Sequence, residues 1–387
     1  KALFVNSLSI AADLSCLASR PLTGVGYYTG HLFDALLRTL PGLDLRVFAC
    51  AAKPLPDEVY AFGARASRFS GQRIPTRVKN ELWTRVEWPP MSWWLGATDI
   101  VHGGFHLLPL SRNAKRMVTV FDLAGMRRTA IHEDASLALH RKLLSHAAPR
   151  ADGIVAISQS CRADVVELLN VDPARVHVVP GGVQLDEFAG PLDDARLAAA
   201  RLRHGIDGPY WIHLGTLEPR KNLERLVEAY ARLRARHALP RLVLAGGEGW
   251  MFAPVLEAIA RHGLEKDVIR TGYLAREDAV ALLRGAQGCV YPSLYEGFGL
   301  PVLEAMAARV PVLTSNVSSL PEVIGDTGIL VEPENDESLD AGLAQLLLDR
   351  GAESARVEAA WTRAQGMTWD HSAKALLAAY RAVLDCP

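Results

Sequence analysis

Two carboxylates separated by seven residues stand in the segment Ser293-Leu294-Tyr295-Glu296-Gly297-Phe298-Gly299-Leu300-Pro301-Val302-Leu303-Glu304. Glu296 falls in a loop with Gly297 and Gly299. Glu304 falls just inside a helix that Pro301 is expected to open at its first position. Such a helix start presents unpaired backbone N–H groups and the positive end of a dipole, which suit a phosphate. Glu304 itself repels phosphate, so beside a phosphate site it accepts hydrogen bonds from sugar hydroxyls. A surface loop followed by a helix with an ordinary glutamate gives the same pattern, and the segment alone does not separate the two.

A second cluster lies upstream, in His213-Leu214-Gly215-Thr216-Leu217-Glu218-Pro219-Arg220-Lys221-Asn222-Leu223. It follows an apolar strand over 210–214. It precedes an amphipathic helix with Leu223, Leu226, Val227, Tyr230 and Leu233 on one face. Asn222 is expected to cap that helix. Arg220 and Lys221 are adjacent cations at a strand-to-helix turn, which in an open α/β sheet faces the ligand crevice. An Arg-Lys pair alone reads as a solvated turn. Paired with the glutamate segment downstream, it reads as an anion site.

Gly215-Thr216…Arg220-Lys221-Asn222, Ala245-Gly246-Gly247, Thr271-Gly272-Tyr273 and Glu296…Glu304 together resemble the retaining glycosyltransferases of family 4, with their E-x7-E signature. The stretch from Pro311-Val312-Leu313 through Ser318-Ser319-Leu320-Pro321-Glu322-Val323 resembles the same family, especially mannosyltransferases of cell-surface polysaccharide assembly. The resemblance is dense over 210–331 and thinner at Thr23-Gly24-Val25-Gly26-Tyr27 and Val101-His102. It implies the α/β GT-B fold: two Rossmann-like doubly wound domains facing a central cleft. The domains are expected at 1–185, on the acceptor side, and 186–368, binding the nucleotide sugar. In the family the last helix crosses back onto the first domain. Here 369–387, with Ala373, Leu376, Leu377, Tyr380 and Val383 periodic, fits that role or that of a terminal helix on its own domain.

The resemblance also implies roles. Glu304 binds the ribose hydroxyls and Glu296 sits by the donor sugar. The backbone of Gly297, Phe298, Gly299 and Leu300 approaches sugar and phosphate. A departing diphosphate needs its negative charge stabilised. Enzymes that use a metal hold it with Asp-x-Asp, which occurs nowhere in this chain. Arg220, Lys221 and the helix start near Leu300 are expected to take the metal's place. The donor then serves as substrate, with no cofactor. Gly215, Thr216, Gly246, Tyr273 and Leu274 complete the expected nucleotide site, the last two beside the base or simply packed. Retention implies front-face attack by the acceptor hydroxyl, and Glu296 is not assigned as a nucleophile.

On the acceptor side, Gly24 and Gly26 are expected in a loop before a helix over 27–40. His102, at a strand end, reads either as a site residue or as a core histidine. His106 is expected to be structural. Asp122 matches the aspartate of the family's His-Asp pair, but its partner here is Phe121, which leaves Asp122 to orient the acceptor or a loop. His132, His140 and His146 have no metal-ligand partner set and are expected on a surface helix.

The chain of 387 residues suits two or three domains. A net charge of −1 gives no global attraction to nucleic acid or anionic lipid. Arg65, Arg68, Arg73, Arg77, Lys79 and Arg85, with Trp83 and Trp88 nearby, read as a solvated loop with buried tryptophans or as an acceptor or membrane contact. Five scattered cysteines without C-x-x-C spacing argue for reduced thiols. No leader and no membrane-length apolar run is seen, so a cytoplasmic enzyme is expected, with possible contact at the inner membrane face. Its partners are a nucleotide sugar and a glycan or lipid-linked saccharide acceptor, GDP-mannose being the expected donor. UDP- or dTDP-sugars, a nucleotide-sugar epimerase and a non-catalytic sugar-binding module are the alternatives. The strands alternate with helices throughout, beginning with one over 2–8, so parallel sheets are expected.

Overall fold

The computed structural model describes residues 8–127 and 135–386. The expected first strand over 2–8 lies almost wholly outside them, as does His132. The chain divides into two compact units, residues up to Gly182 together with those from Trp369 onward, and Val183–Thr368.

The first unit is a seven-stranded parallel sheet. Its strands are β1 (Ser9–Asp13), β2 (Asp44–Cys50), β3 (Arg68–Gln72), β4 (Ile100–Gly103), β5 (Lys115–Val120), β6 (Gly153–Ala156) and β7 (Val176–Val178), in the order β3-β2-β1-β4-β5-β6-β7. The second unit has six: β8 (Tyr210–Leu214), β9 (Arg241–Ala245), β10 (Val268–Gly272), β11 (Gly288–Tyr291), β12 (Val312–Ser315) and β13 (Ile329–Val331), in the order β10-β9-β8-β11-β12-β13. The central strands β4, β6, β8, β11 and β12 are buried at every residue. Helices on both faces require such continuous apolar runs. Five helices carry the argument below: α1 (Gly24–Thr39), α2 (Leu223–Arg234), α3 (Arg276–Arg284), α4 (Leu300–Ala307) and α5 (Trp369–Asp385).

Two local readings change. Gly24 and Gly26 are the first turn of α1, not a loop before it, because Thr23 caps the helix by accepting from the Gly26 N–H. The basic segment is folded. It supplies β3, a short helix over Thr76–Glu81 and the buried Trp83, whose Nε1 donates to the Pro89 carbonyl at 3.0 Å. Lys79 is buried in an ion pair with Asp13, while Trp88 stays half-exposed.

The helix α5 belongs to the first unit. Its Trp369, Ala373, Leu376, Leu377, Tyr380 and Val383 are buried. The Trp369 ring stacks on His31 of α1 with centroids 5.4 Å apart and meets Tyr28 edge-on at 5.6 Å. Arg38 of α1 pairs with Asp370 at 2.8 Å. Each large apolar side chain so buried contributes roughly 1.5–3 kcal/mol. The Tyr380 hydroxyl lies 2.7 Å from His102 Nδ1, and Thr119 Oγ1 lies 2.9 Å from Nε2. No helix among the described residues is long and apolar enough to cross a membrane.

The Tyr380–His102 bond sets a measurable cost. Tyr380→Phe keeps the ring but leaves a buried imidazole nitrogen without its partner. We expect a loss of roughly 1–3 kcal/mol in urea unfolding followed by tryptophan fluorescence. An unchanged midpoint would show that the hydroxyl does not anchor the helix.

Candidate active site

In the second unit the strand order reverses between β8 and β11. Connections leave those neighbours in opposite directions, which opens a crevice at their carboxyl ends. Both sequence clusters start there. The chain runs from β8 through 215–222 into α2, and from β11 through 292–299 into α4.

Glu296 is buried at this point between two cations. Its Oε1 accepts from Lys221 Nζ at 2.7 Å and its Oε2 from Arg220 Nη1 at 2.6 Å. Arg220 turns its other edge to Glu218, with Nε and Nη2 both on Oε1 at 3.0 and 2.6 Å. Lys221 Nζ also donates to the Tyr291 hydroxyl at 2.5 Å. An ammonium has three protons and these bonds use two. Burial alone would raise the Glu296 pKa, but Arg220 and Lys221 outweigh it and hold it at about 2. Burial, seconded by Arg220, works the other way on Lys221 and lowers its pKa against the pull of Glu296.

The surrounding backbone is fixed by side chains. The Glu296 N–H donates to Ser318 Oγ at 2.9 Å. Ser319 Oγ bonds to the carbonyls of Glu296 and Phe298 at 2.9 and 2.8 Å. Asn222 occupies the position before α2 but makes no capping bond with its side chain. Its Nδ2 instead donates to the carbonyls of Pro292 and Pro333 at 3.2 and 2.7 Å, tying the two cluster-bearing loops together. His213 stacks on Tyr291 with centroids 5.1 Å apart. Its Nδ1 donates to the Val290 carbonyl at 3.1 Å, and burial and Lys221 hold it neutral, with a pKa of about 3.

The helix α4 begins at Leu300, one residue before the expected start, so Pro301 is its second residue. Gly299 precedes it at φ 104°, a left-handed conformation that favours glycine, and no side chain caps the first N–H groups. Glu304 is buried one turn in. Its Oε1 accepts from Arg276 Nη1 at 2.7 Å. Burial raises the Glu304 pKa, and Arg276 partly opposes that.

The remaining expected residues divide. Gly215 lies where a Cβ would stand 3.7 Å from Lys221 Nζ. At Gly246 a Cβ would stand 1.9 Å from the Gly215 carbonyl oxygen, so the ends of β8 and β9 approach this closely only with glycine. Thr216 is exposed, Leu274 is buried and Tyr273 projects into solvent at 59% exposure. In the first unit Asp122 accepts from the Ala124 N–H at 3.2 Å and so orients its own loop. The reading of His102 as a catalytic residue is corrected: it is fully buried, both ring nitrogens are engaged, and burial lowers its pKa to about 3. His106 is also buried, its Nε2 accepting from the Phe121 N–H at 3.2 Å. His140 and His146 are half-buried on a helix over Ala135–Ala147, with His140 edge-on to His106 at 5.1 Å. Among the described residues no group of three or more His, Cys, Asp or Glu side chains is placed to hold a metal.

The residues that reading the sequence missed are Glu218, Tyr291, Glu187 and Arg276. Arg276 alone left a signal. A cation at the first position of a helix opposes the dipole, so it implies a partner elsewhere.

Comparison with known proteins agrees with this geometry. The family model described as "Glycosyl transferases group 1" matches residues 199–363, and "Glycosyltransferase Family 4" matches residues 22–187. The chain belongs to glycosyltransferase family 4. The enzyme is 29% identical over 373 residues to O-antigen chain mannosyltransferase B of Escherichia coli, covering 93% of this chain and 96% of that one. It is 33% identical over 204 residues to serotype-specific mannosyltransferase WbdA of Escherichia coli, covering 52% of this chain and only 25% of that protein. A sucrose-phosphate synthase of Thermosynechococcus elongatus superposes with a TM-score of 0.75 at 21% identity, covering 98% of this chain and all of that one. The two parallel-sheet domains are thus those of a GT-B glycosyltransferase.

The buried ions make stability depend on Lys221. Lys221→Ala leaves Glu296 buried with Arg220 as its single cation. Breaking a buried pair in this way costs about 3–5 kcal/mol. We expect that loss in thermal or urea unfolding of the ligand-free enzyme. Arg220→Ala, at a more open position, should cost less. Equal stability of Lys221→Ala and the parent would show that the ion cluster does not support the fold.

Proposed function

We propose that the enzyme transfers a hexose, with retention at the anomeric carbon, from a nucleotide sugar to a glycan or lipid-linked saccharide. The proposed donor is GDP-mannose. The observation that carries this reading is the Arg220–Glu296–Lys221 cluster at the strand-order reversal, one helix start away from Glu304. Similarity over nearly full length to an O-antigen chain mannosyltransferase supports mannose and a surface-polysaccharide acceptor.

In the proposed step the acceptor hydroxyl attacks the anomeric carbon on the face the diphosphate leaves. The bond from that carbon to the phosphate oxygen breaks and its electron pair goes to the diphosphate. The hydroxyl proton passes to the departing oxygen. Arg220, the unused proton of Lys221 and the N–H groups at the start of α4 stabilise the charge that develops there. Glu296 keeps both cations in place before the donor arrives and accepts from donor sugar hydroxyls afterwards. Glu304 accepts from the ribose. The positive charge comes from side chains, so we propose that transfer needs no divalent ion.

The two glutamates should separate in calorimetry and rate measurements with GDP and GDP-mannose. Glu304→Gln should weaken GDP about tenfold and reduce discrimination against 2′-deoxy-GDP. Glu296→Gln should cut transfer by about a hundredfold or more while GDP binds no more weakly, because it leaves two cations less neutralised. Transfer should persist in EDTA. The reverse pattern between the two variants, or activity lost to chelation and restored by Mg²⁺, would overturn the assignments.

A further inference from the structure

The Glu304 carboxylate is not held by anything in its own segment. Its partner, Arg276, reaches over from the first position of α3, where the helix dipole disfavours a cation. Two contacts explain its place. Nε donates to Glu187 Oε2 at 2.9 Å and Nη2 bonds to the same oxygen. The guanidinium also lies over the Phe188 ring, 5.7 Å from its centroid. Arg276 is thus a bridge with Glu187 on one edge and Glu304 on the other.

The bridge takes Oε1 of Glu304 and leaves Oε2 without a hydrogen-bond partner among the described residues. The terminal torsion of a glutamate is soft, so an unheld carboxylate presents no fixed acceptor. A guanidinium on one oxygen fixes the plane of the group. The Arg276 side chain is 33% exposed and that of Glu304 11%, so the cation is the more open of the two.

We propose that Arg276 positions Glu304 for the nucleotide ribose, holding Oε1 and leaving Oε2 for the hydroxyls, while Glu187 holds Arg276. This rests on the assignment of Glu304 to the ribose. The groups facing Glu304 are Arg276, Glu187 and the buried Cys289 thiol. Arg309, two residues past the end of α4, pairs with Glu358 at 3.5 Å. Among the described residues Arg276 is therefore the one cation set against burial and Glu187, both of which raise the Glu304 pKa. Without Arg276 the carboxylate protonates at higher pH, and its strength as an acceptor is lost as pH falls through that raised value.

The test is calorimetric titration of GDP and 2′-deoxy-GDP, with UDP and ADP in parallel, from about pH 5.5 to 8.5. Arg276→Ala should weaken GDP about tenfold near pH 6, less so toward pH 8.5, and shrink the penalty for the missing 2′-hydroxyl. The loss should fall on KM for the donor more than on kcat. Arg276→Lys should recover part of it. Glu187→Gln, which loosens Arg276 without touching Glu304, should give a smaller loss and shrink the 2′-hydroxyl penalty, but without the growth toward low pH, because it also removes a charge that raises the Glu304 pKa; it carries the test if Arg276→Ala does not fold. Glu304→Gln run alongside separates the two readings. If it leaves GDP binding unchanged, the ribose assignment fails and this inference with it. If it weakens binding while the Arg276 and Glu187 variants do not, or if they weaken GDP and 2′-deoxy-GDP equally, or if the Arg276→Ala loss is the same at every pH, the positioning role alone is overturned.

Discussion

A carboxylate enclosed between a lysine and an arginine is the constraint on which the second unit turns. Taking such charges out of water costs several kcal/mol per ion, and only close partners in fixed geometry offset it. Glu296 meets that condition because its two oxygens have one cation each. The geometry in turn needs β8 and β11 adjacent and parallel, so that residues far apart in sequence leave the sheet side by side. The serines at 318 and 319 and the Asn222 amide then lock the loops that carry the charges. The cluster is a fold element as well as the proposed binding device.

Glu296 and Glu304 are held differently. Glu296 is strongly stabilised as an anion by two cations. Glu304 depends on one, brought from another helix and shared with Glu187. Burial works against both. The first environment suits a group that keeps cations in position. The second suits an acceptor with an oxygen left open.

The first unit places its buried polar groups in structural roles. His102 joins Thr119 and Tyr380 in a closed chain of hydrogen bonds, and Lys79 with Asp13 forms a buried pair at the end of β1. Both lie at carboxyl ends of strands, where a ligand-facing residue is expected. Burial and saturated partners decide against that reading for His102.

Much of this protein was legible in its residues. The apolar runs marked most strands, because a strand covered on both faces must be apolar throughout. The expected helix over 27–40 and the observed Gly24–Thr39 differ mainly in how the first turn is capped. Arg220, Lys221, Glu296 and Glu304 could be singled out by type and spacing, since an anion site would need cations and a sugar would need acceptors, and the structure brings the first three together. Their partners could not be. Whether a cation meets phosphate, solvent or a buried carboxylate depends on which strands become neighbours, and local sequence does not encode that. Asn222 had the chemistry of a helix cap but found two carbonyls from other loops. His102 had the chemistry of a site residue but was closed in by a helix from the end of the chain. Arg276 offered only the hint of a cation at a helix start, and its two carboxylate partners come from other segments. Residue type and spacing determined the chemistry on offer; tertiary structure decided, through burial and long-range partners, which groups remain free to use it.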